Sequence, residues 1–340
     1  MTLERAPAEM SVLIVTPDDY GTIRRTVRHL RAQTISRQLE LVIIAPSRTR
    51  LGVVEREVEG FGSVRIVEAG EIKKVSVAKM AGVREARAPF VAFAEDHCYP
   101  EPEWAALLLA AHRKGWAAVG PMMCNANPLS MVSWAGLYLN YGSCLAPALA
   151  GEASHLPWHN VSYRRDLLLE YGEELPRLLA VEGLLLEDLR ARGHGLYFEA
   201  AARTSHVQIS RLSSWVRHTF WGGRLFGSAR ASQKRWSVWR RAAYVCGGPL
   251  IPLVRLRRTL PQIYQATGRR DLLPRVLPAM FAGLLPHAFG EAAGYAFGAG
   301  DAERHYSFYE MKRRRHVTEE DRRALAEEDA LIFADEGVQV

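Results

Sequence analysis

The stretch VAFAEDHCYP, Val91 to Pro100, runs an apolar strand straight into two carboxylates and an imidazole, and a proline follows. Its first part, FVAFA (Phe90 to Ala94), is short and continuously apolar, as a strand buried on both faces must be. Earlier runs repeat the pattern: SVLIVT (Ser11 to Thr16), LELVIIA (Leu39 to Ala45) and a weaker Val64 to Val67. Between them, Thr22 to Gln33 places Ile23, Val27 and Leu30 at helical spacing with basic residues opposite, and Val75 to Arg87 also reads as helix. Apolar strands alternating with amphipathic helices predict an α/β fold, a mainly parallel sheet covered on both faces. Such sheets bind ligands where their strands end. Two exits here are strongly polar, TPDDYG after the first strand and AEDHCYP after the fourth. The first has no G-x-G-x-x-G, which disfavours a dinucleotide-dependent dehydrogenase, and no Walker A loop is present.

Composition narrows the class without choosing a partner. The 340 residues suffice for one large or two smaller domains, and 48% hydrophobic with 24% charged residues is ordinary for a globular chain. A net charge of +7 suits an anionic substrate, an anionic membrane or nucleic acid alike. The four cysteines (98, 124, 144, 246) form no C-x-x-C pair, against a zinc ribbon or disulfide framework and in keeping with a reducing cytoplasm. MTLERAPAEM holds acidic residues and no apolar core of a signal peptide, so a cytoplasmic location is expected.

Glu95-Asp96-His97 is the first constellation with chemistry. On an extended chain Glu95 and His97 would point to one side and Asp96 to the other. Oxygen and imidazole donors suit Mn or Mg bridged to phosphates. Further on, Glu103 to Arg113 reads as a helix, Ala117 to Pro121 as a strand, and Ser133 to Trp158 as a long aromatic-rich stretch. EGLLLEDLRARGHG is a helix stopped by glycine, and LYFEAAARTSHV a strand or hairpin.

The order SVLIVTPDD, helix, LELVIIAPS, VAKMAGVREARAPFVAFAEDH and PEPEW resembles the nucleotide-sugar-binding half of a family 2 glycosyltransferase with the GT-A fold. LPWHNVSYRRDLLLEYG is similar to that family's acceptor-side segment, and EGLLLEDLRARGHGLYFEAAARTSH to its catalytic-base segment. The resemblance spans roughly residues 11 to 230 and implies a Rossmann-like mixed sheet flanked by helices, followed by a C-terminal helical region. It implies donor contacts from Pro17, Asp18, Asp19, Lys79, Glu95 and Asp96, and a divalent Mn or Mg held by Glu95, Asp96, His97 and His206. Trp158, His159, Asn160, Arg217, Trp221 and Arg224 would line the acceptor and diphosphate side. Leu185, Leu189 and Gly193 match the family's spacing after the catalytic acid and put Glu182 in its place. Glu187-Asp188 falls out of register, which leaves Asp188 as the reserve. The sequence departs from the family at Ile44-Ala45-Pro46-Ser47, where an aspartate usually reads the nucleobase, and at Glu-Asp-His in place of two aspartates. The implied chemistry is one inverting displacement. A positioned carboxylate takes the acceptor proton while cationic groups stabilise the departing diphosphate.

From Arg211 to Arg275 there are fourteen Lys or Arg against one acidic residue, Asp271, with Trp215, Trp221, Trp236 and Trp239 among them. The uncharged runs Ala242 to Val254 and Val276 to Gly290 are shorter than the ~20 residues of a spanning helix and contain proline and glycine. Flanking Arg and Trp favour helices lying on an anionic bilayer over nucleic-acid binding. The expected division is a flexible 1–10, a donor half 11–100, an acceptor half 101–232, a membrane-associated helical region 233–317 and an acidic tail 318–340. The expected activity is sugar transfer to a lipid-linked glycan or polysaccharide at the inner face of the cell membrane. The alternative is a catalytically weak GT-A-like protein that binds nucleotide or lipid and assists assembly. A nucleotidyltransferase would need a glycine-rich basic loop where TPDDYG stands.

Overall fold

The apolar runs form the strands read from them. The structure is a computed structural model and describes residues 7–266 and 269–334. Positions 1–6 of the expected flexible N-terminus and 335–340 of the acidic tail lie outside the described residues. The strands are β1 (Met10–Val15), β2 (Leu39–Ala45), β3 (Ser63–Glu68), β4 (Phe90–Ala94), β5 (Cys98–Pro100), β6 (Ala118–Asn125), β7 (Gly151–Glu152), β8 (Ser162–Arg164) and β9 (Leu196–His206). They make one sheet in the order β3-β2-β1-β4-β8-β6-β9-β5, with β7 beside β9.

The first four strands are parallel, Val12 pairing with Leu41 and Ala92 on its two sides. Beyond β4 the sheet is mixed, because β8 inserts antiparallel between β4 and β6, and β5 runs antiparallel along β9. LYFEAAARTSH is thus one long strand with a register shift against β6 at Pro121/Met122, not a hairpin.

The longer helices are α1 (Tyr20–Arg31), α2 (Val75–Glu85), α3 (Trp104–His112), α4 (Met131–Tyr141), α5 (Glu182–Ala191), α6 (Leu212–Gln233), α7 (Val238–Cys246), α8 (Ile251–Ala266), α9 (Leu273–Phe297), α10 (Ala302–Met311) and α11 (Glu319–Ala334). Both faces of the sheet are covered. Val12, Ile14, Leu41 and Ile43 pack with Ile23, Val27 and Leu30 of α1 and Leu108 of α3. Leu13, Val42 and Ile44 pack on the other side with Ala78 and Val83 of α2 and Leu185 and Leu189 of α5. This is the strand alternation that puts successive side chains on opposite faces.

The C-terminal region is helical. α6 and α9 approach until backbones touch: a Cβ added at Gly223 would lie 2.1 Å from the His287 carbonyl oxygen, and one at Gly290 2.0 Å from that of Phe220. Gly227 and Gly294 repeat the contact one turn on. After α10, Arg313–His316 form a tight turn that leads into α11.

Candidate active site

Glu95 to His97 form a tight turn between β4 and β5, closed by the Cys98 N–H donating to the Glu95 carbonyl at 3.1 Å. Glu95 and His97 do face one another, Oε2 to Nε2 3.7 Å. The cause is this turn and not strand alternation, which was the reason expected from the sequence. Around Glu95 Oε2 converge Asn160 Nδ2 at 3.0 Å, His206 Nε2 at 3.2 Å and Cys98 Sγ at 3.4 Å. Asp96 turns to His97 instead, its Oδ1 2.6 Å from Nδ1. The other ring nitrogen of His97 receives the Arg313 Nε–H at 3.3 Å. Because a guanidinium only donates, Nε2 is the accepting nitrogen and the Nδ1 proton faces Asp96.

Electrostatics at the turn follow from burial and these partners. Burial works to raise Glu95, but His97, His206 and His159 outweigh it and hold the carboxyl well below its usual range. For Asp96 burial prevails and its carboxyl is raised despite His97. Burial also depresses His206, to about 4, so it stands as a neutral imidazole near pH 7.

The second centre is Glu182, the first residue of α5, with no solvent exposure. Lys79 of α2 donates to its Oε1 at 2.6 Å, and the backbone N–H of His159 to its Oε2 at 2.9 Å. Tyr163 adds a long bond of 3.5 Å. Burial pushes Glu182 up, yet Lys79 and His159 outweigh it and bring the carboxyl to about 2. His159 adopts φ +70, the left-handed region that costs a residue with a side chain roughly 1–2 kcal/mol. That conformation aims its N–H at Glu182 and leaves its ring Nδ1 3.3 Å from Glu182 Oε1 and its Nε2 3.4 Å from the Tyr306 hydroxyl. The next residue, Asn160, is the one that holds Glu95. One loop therefore joins both centres.

The third wall comes from the C-terminal strap, α10 and the basic turn after it. Tyr306 stacks on His218 at 4.8 Å, and His218 Nε2 lies 2.8 Å from Glu310. Glu310 receives Arg313 Nη2 at 2.5 Å, and Lys312 pairs with Asp18. Sequence reasoning missed Cys98, His218, Tyr306, Glu310, Lys312 and Arg313. The only signal is the KRRRH run, Lys312 to His316, inside the region 233–317 expected to be membrane-associated.

Other expected residues lie elsewhere. Asp188 is held on α5 by the Tyr171 hydroxyl and Arg192 Nε, both at 2.7 Å, and meets none of the groups above. Arg217 is exposed on α6. Trp221 stacks on His305 with centroids 4.2 Å apart, and Arg224 Nε donates to the Gly298 carbonyl at 3.0 Å, so both tie the strap's helices together. Trp158 packs its ring over Gly183 at the start of α5. Pro17 is half-buried beside Asp18, and Asp19 lines a cleft of about 350 Å³ with Gly21, Arg24, Arg50 and Arg56.

Donor atoms of Glu95, His97, Cys98 and His206 lie within 4.8 Å of one another, so these four could hold a metal ion. His206 Nε2 is buried without a satisfying hydrogen bond, as a ligand nitrogen would be. Asp96, turned to His97, is not in the group. Two imidazoles and a thiol beside one carboxylate suit a transition ion better than Mg.

No curated protein matches the chain. Among solved structures, the crystal structure of GalNAc-T7 with UDP, GalNAc and Mn2+ is 16% identical, with a TM-score of 0.46, over 58% of this chain and 43% of that one. S. aureus TarS is 15% identical with a TM-score of 0.44, over 84% of this chain and 55% of that one. Its 1–349 fragment in complex with UDP is 14% identical with a TM-score of 0.45, over 84% and 90%. The chain thus spans about half the length of the first two. Glu182, His206 and the strap lie beyond the part of the sequence that a family model matches. That model, described as glycosyl transferase family 2, matches residues 11–172, and over that span the chain carries a family 2 glycosyltransferase domain on a mixed, helix-flanked GT-A sheet.

Proposed function

We propose that this protein moves a sugar from a nucleoside diphosphate to a hydroxyl of a lipid-linked glycan or polysaccharide, inverting the anomeric centre in one displacement. The observation that carries the reading is the His159-Asn160 loop. Its first residue grips Glu182 at 2.9 Å and its second grips Glu95 at 3.0 Å. The two groups that this reaction requires, a base and a diphosphate-side motif, thereby share one loop.

The acceptor hydroxyl must lose its proton as the new bond forms. Glu182, fully buried and with a pKa of about 2, is too weak and too enclosed to take it directly. His159 takes it at Nε2, with Glu182 at 3.3 Å from Nδ1 stabilising the imidazolium. Burial and Lys79 press the His159 pKa down, but Glu182 and Glu95 more than offset them and it is raised. A divalent ion held by Glu95, His97, Cys98 and His206 would supply positive charge beside the departing diphosphate.

The exposed side chains of the helices beyond α6 support an acceptor held at a membrane. Val238, Trp239, Leu250, Leu253, Phe289 and Phe297 are exposed there, and Arg240, Arg257 and Arg258 lie among them. Apolar and aromatic side chains mixed with arginine suit an anionic leaflet.

Incubation with a panel of nucleotide sugars and a lipid extract, UDP-sugars first, is expected to release nucleoside diphosphate. Loss of a general base lowers turnover about 10²–10⁴-fold. We expect such a loss in Glu182→Gln and in His159→Gln, with UDP affinity little changed, and full activity in Asp188→Asn. His159→Gln serves as the check on folding, since Glu182→Gln leaves Lys79 buried beside a neutral group. The full enclosure of Glu182 favours the second reading, a nucleotide-binding assembly protein. Tight UDP binding with no release from any donor would establish that reading instead.

A further inference from the structure

The two polar strand exits that mark the site are covered by one basic segment. Lys312 pairs with Asp18 at the exit of β1, and Arg313 donates to His97 at the exit of β4. β1 and β4 are neighbours in the sheet, and neighbouring strands lie about 4.8 Å apart. Two successive cations at adjacent exits are spaced for two linked phosphates.

The strap that carries them is fastened along its length. The Val75 N–H donates to Ser307 Oγ at 3.2 Å near its start. The N–H groups of Ser210 and Arg211 donate to the His316 carbonyl at 3.2 and 3.1 Å, and Arg25 binds both Glu328 and Asp329 at 2.8 Å. Arg313 itself is 5% exposed and paired with Glu310 at 2.5 Å. Pulling it out would break a buried ion pair and strand the Glu310 carboxylate, which is strongly unfavourable. The strap therefore stays in place when ligand arrives, as a wall of the site.

Both cations keep donors to spare. Arg313 uses Nε on His97 and Nη2 on Glu310, which leaves the Nη1 amine. Lys312 has three N–H groups and meets Asp18 with its side chain 17% exposed. The cleft of about 350 Å³ is lined by Asp19, the residue after Lys312's partner Asp18, and would take the donor's nucleoside. An ion at His97 would also have to take the Nε2 lone pair from Arg313, since a neutral imidazole has only one.

We propose that the C-terminal strap is a working part of the donor site and that Lys312 and Arg313 bind the donor's diphosphate. The inference deepens the glycosyltransferase reading and rests on it for the identity of the donor. In catalysis both residues stabilise the charge that builds on the leaving diphosphate, Lys312 by exchanging Asp18 for a phosphate oxygen.

The test is calorimetric titration of the full chain with inorganic pyrophosphate, UDP and UMP, in Mn2+ and after chelation. A hydrogen bond to a charged group is worth about tenfold or more in affinity. Lys312→Gln is expected to weaken pyrophosphate and UDP about tenfold and UMP far less, and wild-type binding is expected to survive chelation. Arg313→Gln should do the same, and Glu310→Gln/Arg313→Gln repeats it without stranding a buried carboxylate. Lys312 and its partner Asp18 are both partly exposed, so Lys312→Gln strands no fully buried charge. Unchanged or tighter pyrophosphate binding in Lys312→Gln and the double variant would overturn the proposal, tighter binding marking the strap as a plug. Binding only in Mn2+ would also overturn it, and leave the glycosyltransferase reading intact. Absence of any diphosphate binding to the wild type would sink both. Pyrophosphate binding lost in the variants of a chain with no transferase activity would sustain this inference alone.

Discussion

At the residue scale, the spacing of Leu185, Leu189 and Gly193 pointed to Glu182, which the fold buries against Lys79 and the His159 loop, while Asp188 of the more conspicuous Glu187-Asp188 pair is held apart by Tyr171. What the sequence did not carry was its surroundings, since Lys79 lies 103 positions away and only folding brings them to 2.6 Å. His218, Glu310 and Arg313 were illegible for the same reason: each is an ordinary polar residue until helices from different parts of the chain meet. Buried histidines also set the acid response of the fold. His112 bonds Ser162 Oγ at 2.8 Å and Trp116, and burial lowers it to about 4, like His206. The unfolded chain takes up these protons first, near pH 6.5. Stability is therefore lost as pH falls from about 6.5 toward 4, by up to about 3 kcal/mol for each such group. The contribution of Glu182, whose pKa is lowered, is present above 4.5 and is lost only as pH falls toward 2. Urea midpoints followed from pH 7 to pH 4.5 should decline steadily, and His112→Asn should remove close to one proton from the slope. A slope that His112→Asn leaves untouched would mean that this ring is already charged in the native protein.

At the element scale, β1 to β4 and the longer strands β6 and β9 were readable, and the short strands that complete the mixed half of the sheet were not. β1, β2, β3 and β4 are five to seven apolar-rich residues each, enough for a pattern. β8 is three residues, SYR, and β5 is three, CYP, too short for any periodicity to show. The α6–α9 contact also escaped notice, although Gly223/Gly227 and Gly290/Gly294 are each spaced one helical turn apart. Their role is close approach, and the size of the gap decides the effect of filling it. Gly290→Ala gains about 1 kcal/mol in helix propensity. Its new methyl would lie 2.0 Å from the Phe220 carbonyl oxygen, which belongs to a backbone that cannot rotate aside. Overpacking of this kind costs about 1–3 kcal/mol or more, so the clash wins. Thermal denaturation of Gly290→Ala is expected to show a clear drop in Tm, and Gly223→Ala the same. Unchanged midpoints would mean that α6 and α9 are not in backbone contact.

At the scale of the whole molecule, the proposed membrane contact of the basic, apolar C-terminal helices has two geometries, spanning and lying flat. Among the described residues one helix, Arg270–Phe297, is long and apolar enough to cross a membrane. Its glycine face is occupied by α6, and Glu291 is buried on it with the Tyr295 hydroxyl at 2.5 Å and Arg230 at 3.7 Å. Crossing would carry that carboxylate into hydrocarbon away from Arg230, an expensive state. Lying on the surface keeps it paired and still offers Leu285, Phe289 and Phe297 to lipid, together with Trp239 on α7 and Leu253 on α8. Arg257 and Arg258, exposed on α8, supply the attraction to anionic headgroups. Sedimentation with phosphatidylglycerol vesicles should therefore show binding that weakens with salt, whereas neutral vesicles bind poorly. Trp239→Ala/Phe289→Ala is expected to lower partitioning by about tenfold or more, the worth of burying such side chains. Arg257→Gln/Arg258→Gln should mainly reduce the salt dependence. Release by alkaline carbonate fits a protein that lies on the surface, and resistance to it would mean that the helix crosses. Failure to bind anionic vesicles even at low salt would remove the membrane from the proposed function and leave a soluble acceptor as the one to seek.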